Sequence, residues 1–251
     1  MFQGVCKMEK RKIEQKLEAY SSNYKYIMDI NLMMDYYPNR IISMIKDKKD
    51  TADLSFLELG LGHGNTTEVF KRFFSDYSVI DGDIEIIEAY KKQHNDNIKF
   101  VHSFFENYNT DKQYDIIVAG FILEHVDNPV EILKKFKNNL KDDGLMYVAV
   151  PNACTLNRRV GHEAGLLPDL LQLSQSDLDL GHKRYYTVDT IKKDCITAGY
   201  KVNAVEGIYL KPLTTAQMAQ LDLSYEIMMG FCKVGKDFPE LCVGILLELT
   251  K

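Results

Sequence analysis

The spacing of apolar and polar positions changes along the chain, and the changes mark its elements. Ile13, Leu17 and Tyr20 recur at i, i+4 and i+7 among charged residues, which predicts a first helix with one narrow packing face. A second helix is expected from about Tyr26 to Tyr37, with Pro38 as its punctuation. Short apolar runs then alternate with amphipathic ones. Strands are expected over 54–59, 77–81, 98–102, 114–120 and 144–151, and helices over 65–74, 84–92 and 129–140. Pro129 suits the first turn of the last helix, where a missing N–H does no harm. The rhythm breaks over 152–186, a polar segment with one leucine-rich stretch, and a segment this long inside a compact domain reads as a lid or binding loop. It then resumes with a helix over 188–198, capped by Thr187 and stopped by Gly199, a strand over 200–208, a helix over 215–231 and a closing strand over 241–249. Strands separated by helices imply a mostly parallel sheet with right-handed crossovers.

With 251 residues, the chain has room for one sizeable domain. Its 45% hydrophobic and 27% charged residues are an ordinary globular balance. The net charge of −5 argues against nucleic acid as a partner. No apolar run reaches bilayer length and the first residues do not form a secretion signal, so a cytoplasmic protein without a membrane partner is expected. Cys6, Cys154, Cys195, Cys232 and Cys242 show no CxxC spacing and read as reduced thiols. The oligomer is not legible, and a homodimer is left open.

The most informative stretch is Glu58-Leu59-Gly60-Leu61-Gly62-His63-Gly64-Asn65, an apolar strand that enters a glycine turn and then a helix. Glycine there permits left-handed backbone and lets a ligand approach the main chain. The next strand ends in Asp81, where a carboxylate can accept hydrogen bonds from both hydroxyls of a ribose. The spacing is GxGxG rather than the GxGxxG of a dinucleotide site. Glu58 would repel a pyrophosphate and suits the cationic amino group of a methionine moiety. S-adenosylmethionine is therefore favoured over a nicotinamide cofactor.

These residues resemble the first and second motifs of the class I S-adenosylmethionine-dependent methyltransferases. The likeness continues through Tyr114-Asp115-Ile116-Ile117, Leu123-Glu124-His125-Val126 and the run Gly144 to Asn152. It implies a Rossmann-like seven-stranded sheet, mostly parallel, with helices on both faces. The N-terminal helices (1–50) and the 152–186 insertion would cap it. It also implies a cofactor site made of Glu58, Gly60, Gly62, Asp81, Gly82, Ser103, Phe104, Phe105, Gly120 and Phe121. Many members carry an acid after the third strand; here Ser103-Phe104-Phe105 stand there, with the serine as acceptor and the rings sandwiching the adenine. The later segments resemble enzymes that tailor surface polysaccharides and small metabolites.

Methyl transfer to a hydroxyl needs a base, and His182 in the polar insertion is the candidate. His125 reads as a local cap, and His63 as a loop residue without a catalytic task. Arg158, Arg159, Lys183, Arg184 and Lys211 fall in the segments expected to wall the acceptor, which suggests a phosphate- or carboxylate-bearing small molecule. Asn152, Arg158, Arg184, Tyr185 and Lys211 are the expected acceptor contacts, although each cation has an acid nearby in sequence as an alternative partner. Asp177 and Asp179 near His182 read as capping or solvated acids, and no metal is expected. O-methylation of a small acceptor is the expected activity. A non-catalytic S-adenosylmethionine-binding subunit, a nicotinamide-dependent oxidoreductase and an RNA or protein methyltransferase are the alternatives. The N-terminal helices, with Tyr24, Tyr26, Tyr36 and Tyr37, and the insertion are expected to cover the cofactor.

Overall fold

The computed structural model describes residues 27–251, Ala52 excepted. The expected helix around Ile13, Leu17 and Tyr20, and the Tyr24 and Tyr26 rings, lie outside the described residues. Seven strands form one sheet: β1 (Ser55–Leu59), β2 (Asp76–Asp81), β3 (Lys99–His102), β4 (Tyr114–Gly120), β5 (Leu140–Pro151), β6 (Lys201–Ile208) and β7 (Gly244–Thr250). Their order is β3-β2-β1-β4-β5-β7-β6. β1 through β5 pair in parallel, while β7 runs antiparallel to both β5 and β6. This is the expected Rossmann-like sheet. The order reverses between β1 and β4, and the crevice beyond their carboxyl ends is where ligands bind in such sheets.

Alternation along the strands sends successive side chains to opposite faces. Phe56, Val79, Ile116, Val118, Tyr147 and Leu246 pack on one face under helix α1 (Ile27–Lys46). Leu57, Ile80, Ile117, Ala119, Val148 and Leu247 pack on the other, under α4 (Pro129–Asn138) and α7 (Val188–Thr197). Between β1 and β4 the chain forms α2 (Asn65–Phe70) and α3 (Ile84–Gln93). Phe70 and Phe74 lie against Phe56 with ring centroids 4.8 and 4.3 Å away. All three rings are almost wholly buried, each contributing about 1.5–3 kcal/mol.

Three local expectations are corrected. Pro38 does not end α1, which runs through it to Lys46. The amide Nδ2 of Asn39 donates to the Asp35 carbonyl at 2.7 Å, satisfying one acceptor near the proline. Ile41, Ile42, Met44 and Ile45 then bury themselves on the sheet, and Arg40 grips Glu206 of β6 through two 2.7 Å hydrogen bonds. Lys48, just past the helix, pairs with the buried Glu248 of β7. Tertiary packing of this kind outweighs the local cost of proline. The expected helix over 215–231 is two, α8 (Thr215–Gln220) and α9 (Tyr225–Gly235). Asp222 between them is left-handed at φ 46°, and Ser224 caps the second. β5 begins at Leu140 rather than 144, because Leu140 pairs with Tyr114 across an irregularity in the ladder.

The 152–186 insertion is a closed excursion from the end of β5. Ala153 N donates to the Tyr186 carbonyl at 2.7 Å, and Tyr186 N to that of Pro151 at 3.2 Å. The excursion holds α5 (Leu156–Glu163) and α6 (Gln175–Asp179).

Candidate active site

The glycine turn sits at the carboxyl end of β1. Gly60, Gly62 and Gly64 all have positive φ, at 84°, 50° and 75°. A Cβ on Gly64 would stand 2.7 Å from the Tyr90 ring, so close packing adds to the backbone demand there. Among the described residues, a Cβ on Gly62 would meet nothing within 4 Å, which leaves room for a ligand against the main chain. Asp81 ends β2 beside this turn. Its Oδ2 accepts from Leu61 N and its Oδ1 from Asp83 N, both at 2.8 Å. The carboxylate thus staples the turn, and its remaining lone pairs are what a ribose would meet. Phe104 lies across Gly82 and is 63% exposed, whereas Phe105 reaches back towards Gly60 and the Phe136 ring. Ser103 Oγ donates to the Phe104 carbonyl at 2.9 Å. Gly120 closes β4 under the hydroxyl of Tyr37, where a Cβ would approach to 2.5 Å. Phe121 follows with φ 55°, its ring edge-on to Tyr37 at 5.4 Å.

Glu58 does not face the turn as a free carboxylate. It is buried beneath α2, accepting from Thr67 Oγ1 at 2.6 Å and from the Thr66 and Tyr77 hydroxyls. The expected contact with a methionine amino group is therefore replaced by a hydroxyl cage. Burial pushes its carboxyl from 4.5 up to about 7 against those three donors. A raised folded-state value favours the protonated form. Its contribution to stability is complete below about 4.5 and is lost as pH rises through about 7. Glu58→Gln should therefore gain stability relative to the parent protein, by up to about 3 kcal/mol, between pH 5 and pH 8. Urea unfolding at the two pH values reads this; a constant difference would show that Glu58 charges freely.

Beyond β4 the chain turns through Leu123-Glu124-His125. Glu124 is 1% exposed, and its Oε2 has no hydrogen-bond partner among the described residues. Burial pushes its carboxyl up to about 7, opposed by the nearby His182 and Arg184. His182 comes from the insertion with its side chain 11% exposed, its Nδ1 3.3 Å from Asp177 Oδ1. The His125 and His182 rings meet edge-on at 4.7 Å, so His125 is more than a local cap. Donor atoms of Glu124, His125 and His182 lie within 4.8 Å of one another. The sequence signal for Glu124 was present in its place after the fourth strand, but nothing in the sequence showed it buried beside His182.

The expected acceptor contacts are engaged elsewhere. Asn152 Nδ2 donates to the carbonyls of Pro239, Glu240 and Cys242, and its Oδ1 accepts from Cys154 N. Arg158 donates to the carbonyls of Ala153, Leu170 and Gln172 and lies 4.6 Å over the Tyr185 ring. Arg159 Nε donates to the Cys154 carbonyl. Arg184 donates to the carbonyls of Leu123, Val126 and Asp127. Lys183 pairs with Asp127, and the buried Lys211 with Asp29 at 2.6 Å. Tyr185 donates to Asp177 Oδ2 at 2.7 Å. The polar atoms named here are engaged within the chain itself.

Residues 32–205 match the family model of a methyltransferase domain. The chain belongs to that family. Its sheet has the fold of solved S-adenosylmethionine-dependent methyltransferases. The chain is 28% identical over 118 residues to the ubiquinone biosynthesis O-methyltransferase of Rickettsia bellii, covering 45% of this chain and 49% of that protein. It is 23% identical over 184 residues to the malonyl-[acyl-carrier protein] O-methyltransferase of Bacillus cereus, covering 69% and 65%. The chain thus spans about half to two thirds of these relatives. In fold it is similar to the Burkholderia thailandensis 1,6-didemethyltoxoflavin-N1-methyltransferase, solved with its acceptor and S-adenosylhomocysteine. The TM-score is 0.61 at 11% identity, covering 97% of this chain and 89% of that one. Among the described residues, no helix is long and apolar enough to cross a membrane.

Proposed function

We propose that the protein methylates a hydroxyl oxygen of a small acceptor, with His182 as the base. The observation that carries this reading is the imidazole of His182, shielded from solvent between Asp177 and the buried Glu124 at the end of β4. The open space at Gly62 and the Asp81 carboxylate beside it suit the methionine and ribose parts of the cofactor. Phe104 over Gly82 offers a face for the adenine.

When bound, S-adenosylmethionine would supply a methyl group activated by its sulfonium sulfur. The protein's task is to orient the acceptor and remove its proton. The hydroxyl proton passes to His182, and Asp177 and Glu124 stabilise the imidazolium that results. Tyr37 of α1 sets its hydroxyl over Gly120 at the end of β4.

The two relatives named above are called O-methyltransferases, which supports oxygen as the target. Neither name points to a surface polysaccharide. The cations that suggested an anionic acceptor are tied to carbonyls and acids of the chain itself, so the proposal rests on the hydroxyl and not on acceptor charge. The test is release of S-adenosylhomocysteine with paired acceptors that differ only in hydroxyl or amine at one ring or chain position. Turnover of the hydroxyl members is expected, with neutral and anionic ones alike. Turnover confined to amines would overturn the oxygen assignment, and turnover confined to anions would restore the arginines as acceptor contacts.

A further inference from the structure

Four polar contacts within the insertion converge on one side chain, Asp177. Its Oδ2 accepts from Ser174 N at 2.8 Å, from the Ser174 hydroxyl and from Tyr185 OH at 2.7 Å. Those donors leave Oδ1 pointing at Nδ1 of His182, 3.3 Å away. The supports are themselves supported. Ser174 and Asp177 form a reciprocal capping box at the start of α6. The Tyr185 ring lies under Arg158, whose guanidinium is anchored on three carbonyls across the insertion. His182 N donates to the Asp177 carbonyl at 2.9 Å, so main chain and side chain of Asp177 both address this residue. Burial opposes the charge on Asp177, yet the contacts from His182, Ser174 and Tyr185 hold its carboxyl well below the usual carboxylate range. The Nδ1 contact is at ion-pair distance without good hydrogen-bond alignment. Contacts to a base are often long before substrate binds and tighten as charge develops.

We propose that Asp177 is a positioning residue: it holds the proton of neutral His182 on Nδ1, so that Nε2 carries the lone pair that faces the acceptor. This rests on the assignment of His182 as the base. It also gives Arg158 and Tyr185 a task other than binding an acceptor, as the frame that keeps the carboxylate in place. The other groups facing the ring are Glu124 and His125 after β4, with Arg184 acting on Glu124.

The test is Asp177→Asn in the full chain, read in two ways. Nitrogen chemical shifts of a 15N-histidine-labelled sample, recorded with a chelator and S-adenosylhomocysteine present, report the tautomer of His182. The parent protein should show the Nδ1–H form, and the variant a shift towards Nε2–H, because the asparagine amide can donate to Nδ1. The kcat should fall at least about thirtyfold, with the acceptor's KM changed less than about threefold. If the variant does not fold, Tyr185→Phe removes one donor to Oδ2 and should move the tautomer in the same direction by less. A His182 tautomer unchanged in the folded variant overturns the proposal, whatever the activity. A changed tautomer, with turnover indifferent to His182→Ala, leaves Asp177 as the orienting group and overturns the base assignment instead.

Discussion

Replacing His182 with alanine is expected to lower turnover by roughly two to four decades while leaving S-adenosylmethionine affinity close to that of the parent protein. The imidazole approaches from the insertion, whereas Gly62 and Asp81 sit at the ends of β1 and β2, so cofactor binding reads a separate part of the site. Its loss leaves a cavity between Asp177 and Glu124, bordered by the His125 ring. Small exogenous imidazoles should therefore restore part of the rate. The measurement is single-turnover formation of S-adenosylhomocysteine across pH 6–9 with a neutral hydroxyl acceptor. A variant with most of its activity would mean that the attacking oxygen arrives already ionised. The role of the Glu124–His182 pair would then be to hold the post-β4 turn, not to move a proton.

Asp81→Ala should weaken S-adenosylhomocysteine binding at least tenfold. Two effects add. The carboxylate loses its charge-assisted contacts to the ribose, each worth about 1.5–3 kcal/mol. Leu61 N and Asp83 N also lose their acceptors, and the turn that carries Gly62 is no longer tied to the end of β2. An unsatisfied amide costs about 1–3 kcal/mol, so the melting temperature should drop by about 2–8 °C even without ligand. Titration calorimetry and thermal unfolding of one preparation separate the two contributions. Unchanged affinity in a folded variant would remove Asp81 from the cofactor site and leave it as a staple alone.

The order of elements, the glycine turn and the acid that ends β2 were legible because they rest on short-range rules. Alternating apolar runs gave β1 to β5, three glycines gave the turn, and the acid at the end of the next run gave Asp81. Positive φ at Gly60, Gly62 and Gly64 is a local demand that only glycine meets cheaply, so the sequence carries it openly. Pro38 misled, because a local breaking signal is silent about what packs on either side of it. Ile41 to Ile45, Arg40 and Lys48 find the sheet only once β6 and β7 have returned to it.

The roles of the charged residues were decided by tertiary structure alone. Charge and spacing identify Arg158, Arg184 and Lys211 as cations but cannot tell which carbonyls elsewhere lack a partner. In the fold those carbonyls come from Leu123, Val126, Leu170 and Gln172; Leu123 and Val126 are buried, and a buried acceptor is costly to leave unmet. Glu58 looked like a ligand for an amino group until three hydroxyls from α2 and β2 surrounded it. Conversely, Glu124 and His182 are far apart in the chain, and only closure of the insertion against the end of β4 makes them neighbours. The sequence by itself determined the sheet, the glycine turn and its acid, because each depends on backbone geometry within a few residues. Which side chains face the acceptor and which hold the walls depends on desolvation and on competition for hydrogen-bond partners, and neither exists until the chain has folded.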